Sequence, residues 1–199
     1  MGIIIVATTI LLSYLIGSVP FAYIVAKIKG VDLTKVGSGN IGATNVWRSV
    51  GQIEGTAVFF LDFLKGYVAV VIAKRLDLAP LVIILCAGAV ILGHTFSVFL
   101  RFKGGKGVAT GLGVVFGIAP YNFVLCFALG MGIIAMTGYV SLASITGALF
   151  LSILMFTTRQ PAPYAWGILL LAAYVIYKHV PNIKRLFNGT ENRISWKNR

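Results

Sequence analysis

Long apolar runs separated by short basic loops set the pattern of this chain. A membrane-spanning helix needs about 20 mostly apolar residues. The stretch from Gly2 to Ala26 meets that requirement, as do those from Thr56 to Ala73 (despite Asp62 and Lys65) and from Pro80 to Leu100. Further apolar stretches run from Leu142 to Thr157 and from Pro163 to Tyr177. The run from Val108 to Thr137 is long for one ordinary span and short for two, with Pro120-Tyr121-Asn122 at its middle.

Charge decides how that run is divided, because Lys and Arg gather in cytoplasmic loops. A single span there gives six in all and scatters the basic clusters over both sides. A turn at Pro120–Asn122 gives seven spans. Lys27, Lys29, Lys35, Arg48, Arg101, Lys103, Lys106, Lys178, Lys184, Arg185, Arg193, Lys197 and Arg199 then share one side, against Lys74, Arg75 and Arg159 on the other. The expected fold is an all-α polytopic membrane protein of seven transmembrane helices. Its N-terminus is outside, its C-terminus is cytoplasmic, and residues 1–199 form one domain.

Composition agrees. The chain is 58% hydrophobic and 11% charged, with a mean hydropathy of +0.94. A soluble domain of this length has no interior large enough for so much apolar surface. The net charge of +12 would suggest nucleic acid in a soluble protein. In short loops between spans it reads as a topology signal and as attraction to anionic lipid or substrate, so no nucleic-acid partner is expected. Cys86 and Cys126 lie inside apolar runs, which disfavours a disulfide framework or a metal site. The first run lacks a basic leader and a small-residue cleavage site, and reads as a span.

The informative polar residues fall in the loops assigned to the inside. The first, Val36 to Arg48, holds Gly37, Ser38, Gly39, Asn40, Thr44, Asn45 and Arg48. Glycines there let the backbone approach a ligand and offer N–H groups to an anion. The second, Arg101-Phe102-Lys103-Gly104-Gly105-Lys106-Gly107, runs into an apolar helix and resembles a phosphate cradle. It lacks P-loop spacing, with Gly107 where a magnesium-binding hydroxyl would stand. The third carries Thr137, Ser141 and Ser144, which taken alone read most simply as helix caps. The fourth carries His179, Asn182, Lys184, Arg185 and Glu191; His179 and Asn182 share a helix face only if the helix survives Pro181. Within the spans, Asp62 and Lys65 are placed for an ion pair. His94 is placed either to orient a ligand or to bond a neighbouring helix.

Five segments in order carry a family resemblance: Gly37-Ser38-Gly39-Asn40-Ile41-Gly42-Ala43-Thr44-Asn45, Asp62-Phe63-Leu64-Lys65-Gly66, Gly93-His94, Phe102 to Thr110, and Val140-Ser141-Leu142-Ala143-Ser144. Together they resemble the bacterial membrane acyl-phosphate:glycerol-3-phosphate acyltransferases. The resemblance implies a seven-span inner-membrane enzyme with its active site facing the cytoplasm. It would move a fatty acyl group from acyl phosphate to the sn-1 hydroxyl of glycerol 3-phosphate, giving lysophosphatidic acid and phosphate. It further implies no metal and no cofactor. The partners it implies are the two substrates, membrane lipid and other lipid-synthesis enzymes. By the same resemblance Ser38, Arg48, Lys106, His179 and Asn182 surround the glycerol 3-phosphate, with Ser38, His179 and Asn182 as the catalytic group. Asn40, Gly104, Gly105 and Gly107 complete the cradle, Ser141 and Ser144 meet the acyl phosphate, and Asp62, Lys65, His94 and Glu191 support.

The nucleophile of this chemistry is a substrate hydroxyl, with an acylated Ser38 as the rival reading. The residues leave its base open among His179, His94 and the departing phosphate. Three other readings stand beside the resemblance, one of them a structural partner subunit of a lipid-synthesis complex. A small organophosphate transporter fits the spans and loops, but its polar groups would gather at the midplane. The acyl-CoA acyltransferases carry H-x-x-x-x-D, and no such Asp follows His94.

Overall fold

The computed structural model describes residues 2–194, and every regular element among them is helical. Lys197 and Arg199, expected on the inside, lie outside the described residues. The helices are α1 (Ile3–Ser18), α2 (Phe21–Ile28), α3 (Ala43–Ser49), α4 (Gln52–Arg75), α5 (Pro80–Thr95), α6 (Val108–Ile118), α7 (Pro120–Thr137), α8 (Val140–Thr157), α9 (Ala162–Lys178) and α10 (Val180–Phe187). Five segments are long and apolar enough to cross a membrane: Ile3–Ile28, Gln52–Arg75, Pro80–Leu100, Pro120–Thr137 and Val140–Thr157. The apolar helices α6 and α9 are shorter.

The break expected inside the run from Val108 to Thr137 is present. Ala119 leaves helical geometry at φ −140° and ψ 75°, and Pro120 opens α7 in its first turn, where a missing N–H costs nothing. α6 has 11 residues, so it rises only about 16 Å of the roughly 30 Å hydrocarbon core. Lys74 Nζ donates to the Gly117 carbonyl at 2.6 Å, supplying a partner at the end where helical carbonyls lose theirs. The first apolar run is interrupted as well. α1 stops at Ser18 and α2 begins at Phe21, because Pro20 has no N–H to continue the ladder and crowds the preceding turn.

Lipid gives no hydrophobic force between helices, so close backbone approach carries the packing. A methyl at Gly66 of α4 would lie 2.0 Å from the Thr110 carbonyl of α6, and one at Gly113 of α6 would lie 1.9 Å from the Phe63 carbonyl. α1 and α5 meet the same way, Gly17 against the Val90 carbonyl and Gly93 against the Tyr14 carbonyl, both at 2.1 Å. Large apolar side chains such as Ile4, Phe60 and Leu170 face outward, while Asp62, Lys65, Thr110 and Asn122 are buried. That inverted distribution suits a lipid solvent. The segments between α2 and α4, between α5 and α6 and between α7 and α8 meet α10 and the following residues at one end of the bundle, through the contacts described next.

Candidate active site

The first loop is organised by a residue to which the sequence reading gave no role. Asn45, buried in the first turn of α3, donates from Nδ2 to the Leu33 and Val36 carbonyls, each at 3.1 Å. Its Oδ1 accepts the Ser38 N–H at 3.0 Å. Gly37 sits at φ +58°, and a methyl there would lie 2.1 Å from Asn45 Oδ1. Ser38 is therefore held in place by Asn45, whose amide supplies both donors and an acceptor to a loop with no ladder of its own. The signal for it was an Asn directly behind the glycine run. Asn40 is half-buried in the same loop. One turn past Asn45, Arg48 donates from Nη2 to the Asn192 carbonyl at 2.8 Å.

The fourth loop does not continue α9. That helix ends at Lys178, His179 forms the junction, and α10 starts at Val180. Pro181 falls in the first turn of the new helix, where proline is tolerated, so it does not displace Asn182. Both His179 and Asn182 are buried.

Glu191 joins these pieces. Its Oε1 accepts from Asn182 Nδ2 at 2.7 Å and from Ser141 Oγ at 2.8 Å, and its Oε2 accepts from Arg185 Nε at 2.7 Å. Asn182 Oδ1 accepts in turn from Lys106 Nζ. Ser141, expected most simply as a helix cap, instead donates across to Glu191, and Tyr139 at the start of α8 makes no side-chain cap. Ser144 bonds back to the Val140 carbonyl at 2.8 Å. Residues after Glu191 strap the site: the Ile194 N–H donates to the Gly138 carbonyl at 2.8 Å, and the Arg193 guanidinium lies 5.0 Å from the Tyr139 ring centre. Arg185, like Asn45, stands in its loop without a role legible in the sequence; only the fold shows it facing Glu191.

This surrounding tunes the charges. Burial, with Arg185, Arg48 and Lys178 nearby, outweighs Glu191 and lowers the Lys106 ammonium to about 8. Burial and the Lys106 charge lower His179 to about 4, against the Val175 carbonyl and Glu191. His179 is therefore a neutral imidazole at physiological pH, its Nδ1 within 2.7 Å of the Val175 carbonyl. Burial works against the Glu191 carboxylate, but the bonds from Asn182, Arg185 and Ser141 prevail and hold it below the usual range.

The glycine-rich second loop serves packing as well as any ligand. The Gly105 N–H donates to the His94 carbonyl at 3.3 Å. Gly107 adopts φ +79° at the start of α6, a left-handed conformation that favours glycine. His94 faces a different carboxylate: its Nδ1 is 3.5 Å from Asp62 Oδ1. Asp62 and Lys65 form the expected ion pair at 2.7 Å.

Behind the polar group lies an apolar cavity of about 400 Å³, walled chiefly by α4, α6, α7, α8 and α9. Its polar end is lined by Thr44, Trp47, Gly107, Ser144 and Ile194. Trp47 precedes Arg48 in the chain and Gly107 follows Lys106, so the backbone that carries both cations borders that end of the cavity. Among the described residues, no three His, Cys, Asp or Glu side chains group as metal ligands.

Fold and site define a class: an all-helical integral membrane protein with basic residues grouped in the loops at one end of an apolar cavity. A family profile described as glycerol-3-phosphate acyltransferase matches residues 7–189. The chain is 45% identical to the glycerol-3-phosphate acyltransferase of Aquifex aeolicus, over 92% of this chain and 96% of the relative. It is 43% identical to a glycerol-3-phosphate acyltransferase of Thermus thermophilus, over 94% of each. Two solved structures of PlsY, an integral membrane glycerol 3-phosphate acyltransferase, superpose on it. The glycerol 3-phosphate form has a TM-score of 0.92 at 43% identity, covering 96% of both chains. The lysophosphatidic acid form has a TM-score of 0.89 at 42% identity, covering 96% of this chain and 95% of that one. The chain belongs to the glycerol-3-phosphate acyltransferase family.

Proposed function

We propose that this protein transfers a fatty acyl group from acyl phosphate to the sn-1 hydroxyl of glycerol 3-phosphate. The products are lysophosphatidic acid and phosphate, formed at the cytoplasmic face of a bacterial inner membrane. The observation that carries this reading is the adjacency of cations and cavity: Lys106 beside Gly107, and Arg48 beside Trp47. One site can thus hold a phosphate at its mouth and an acyl chain behind it. The solved relatives, held with glycerol 3-phosphate in one form and lysophosphatidic acid in the other, support the same pairing of head and tail. Seven crossings, the five long segments with α6 and α9, put the site end on the side richer in Lys and Arg, with the N-terminus outside.

In this reading Arg48 and Lys106 hold the phosphate of glycerol 3-phosphate, with Ser38 and Asn40 beside it. Asn182 fixes the Lys106 ammonium, and Glu191 fixes Asn182. Two anionic substrates repel each other strongly in a low dielectric, and the cations offset that repulsion. Holding both in line contributes at best about 7–11 kcal/mol to lowering the barrier. The hydroxyl oxygen attacks the acyl carbon, the carbon–oxygen bond to phosphate breaks, and the hydroxyl proton passes to the departing phosphate. His179, lowered to about 4, is a weaker base than a phosphate group, whose second proton leaves at about 6. His94, held by Asp62 under the second loop, is not placed to serve as the base.

The purified chain, given labelled glycerol 3-phosphate with palmitoyl phosphate, palmitoyl-CoA or palmitoyl carrier protein in turn, tests this. Lysophosphatidic acid should form from palmitoyl phosphate alone and be lost in Arg48→Ala and Lys106→Ala. Product from palmitoyl-CoA would overturn the donor assignment.

A further inference from the structure

The buried Asp62–Lys65–His94 group takes no part in the chemistry proposed above, yet it lies against the loop that carries Lys106. An ion pair inside a membrane bundle is costly to retain, and apolar residues of similar volume often serve stability as well. Its position here is specific. Asp62 Oδ1 holds Lys65 Nζ at 2.7 Å and stands 3.5 Å from His94 Nδ1. Lys65 Nζ also donates to the Val19 carbonyl at 3.2 Å, tying α4 to the break between α1 and α2. The other edge of the His94 ring faces the second loop. A methyl at Gly105 would lie 2.3 Å from His94 Nε2 and 2.7 Å from the Ile41 carbonyl, and one at Gly104 would lie 2.1 Å from the His94 carbonyl. The Gly105 N–H donates to that same carbonyl at 3.3 Å. The gap shared by Asp62, Lys65, His94, Ser97, Gly104 and Gly105 is about 10 Å³, room for about one water molecule.

We infer that His94, its ring oriented by the Asp62–Lys65 pair, is a positioning residue: it seats the Gly104–Gly105 turn and thereby fixes where Lys106 projects. Gly104 and Gly105 are glycine because the turn lies flat on this histidine. Lys106 begins directly beyond that contact, so a turn lifted from its seat carries the ammonium away from Asn182 and toward solvent.

The test reads Lys106 itself. Its reactivity toward acetic anhydride is followed by mass spectrometry from pH 6 to 11 in the intact detergent-solubilised chain, beside a melting curve. The wild-type midpoint is expected near 8, reflecting burial and the charges of Arg185, Arg48 and Lys178. His94→Asn keeps an amide near Asp62 but removes the ring edge under Gly105, and should move the midpoint up by one unit or more. Gly105→Ala leaves the buried group intact and lifts the turn from the other side, so it should move the midpoint the same way. His94→Gln, which places an amide near the lost Nε2, should restore a value near 8. A midpoint that stays near 8 in both His94→Asn and Gly105→Ala, whatever the melting temperature does, overturns the inference; if His94→Asn does not fold, Gly105→Ala alone decides. The kinetic arm rests on the proposed function: the KM for glycerol 3-phosphate should rise at least tenfold in both variants. A shifted midpoint in a chain that makes no lysophosphatidic acid from any donor would leave the inference standing and refute the proposed function instead.

Discussion

Glu191→Gln is the substitution that most directly probes how the proposed anion site is held. The Glu191 side chain is 3% exposed and accepts from Asn182, Ser141 and Arg185 at 2.7–2.8 Å. A glutamine has one oxygen for those donors and must turn its own NH2 toward at least one of them. A buried donor left facing a donor costs about 1–3 kcal/mol. Loss of the ion pair to Arg185, which is 33% exposed, adds less than a buried pair would, roughly 1 kcal/mol. The sum, about 2–4 kcal/mol, divides between stability and the orientation of Asn182, and each 1.4 kcal/mol reaching the site is tenfold in rate. A fall of roughly 10–100-fold in kcat/KM for glycerol 3-phosphate is expected, expressed mainly in KM, with a lower melting temperature. Ser141→Ala removes one of the three bonds and should cost no more than about tenfold. Lysophosphatidic acid formation from palmitoyl phosphate, beside thermal melts, measures both. A Glu191→Gln enzyme with wild-type KM would refute the reasoning, because Asn182 and Lys106 would then be held without it.

The Lys106 ammonium, lowered from 10.5 to about 8, is fully charged below about pH 7 and loses its proton as pH rises through 8. The KM for glycerol 3-phosphate should therefore climb above pH 8, and Lys106→Arg should abolish that limb, as a pH series of KM shows. His179→Gln should keep a measurable fraction of activity and the wild-type acid limb, since the donor phosphate takes the proton; loss of that limb in the variant's pH–rate profile would assign the base to His179. Gly130 lines the cavity and has open space where its side chain would be. Gly130→Leu should therefore shift donor preference toward shorter chains, each excluded methylene costing about 0.8 kcal/mol, as competition between palmitoyl and lauroyl phosphate reveals.

Much of the fold was legible because spans and breaks are local properties. The turn at Pro120, the apolar runs and the Asp62–Lys65 pair follow from run length, proline geometry and the spacing of one helical turn. The interruption at Pro20 follows the same proline rule, but the apolar residues on either side of it masked the break. The Ser141–Glu191 bond was not legible, because a hydroxyl at a helix start caps by default and nothing nearby in sequence announces a carboxylate 50 residues away. Pro181 looked like a threat to Asn182 only while α9 was imagined to continue.

The sequence by itself determined that this is a helical membrane protein with glycines, hydroxyls and cations concentrated in its loops, because hydropathy and turn chemistry act over a few residues. The tertiary structure alone decided which of those groups meet. Lys106 reaches Asn182 across 76 residues, and Arg48 reaches the Asn192 carbonyl across 144. It also set His94 against Asp62 and beneath Gly105. Such partnerships depend on which helix lies against which, and in lipid that is settled by close backbone contacts such as Gly66 on Thr110 and Gly93 on Tyr14, which no local pattern encodes.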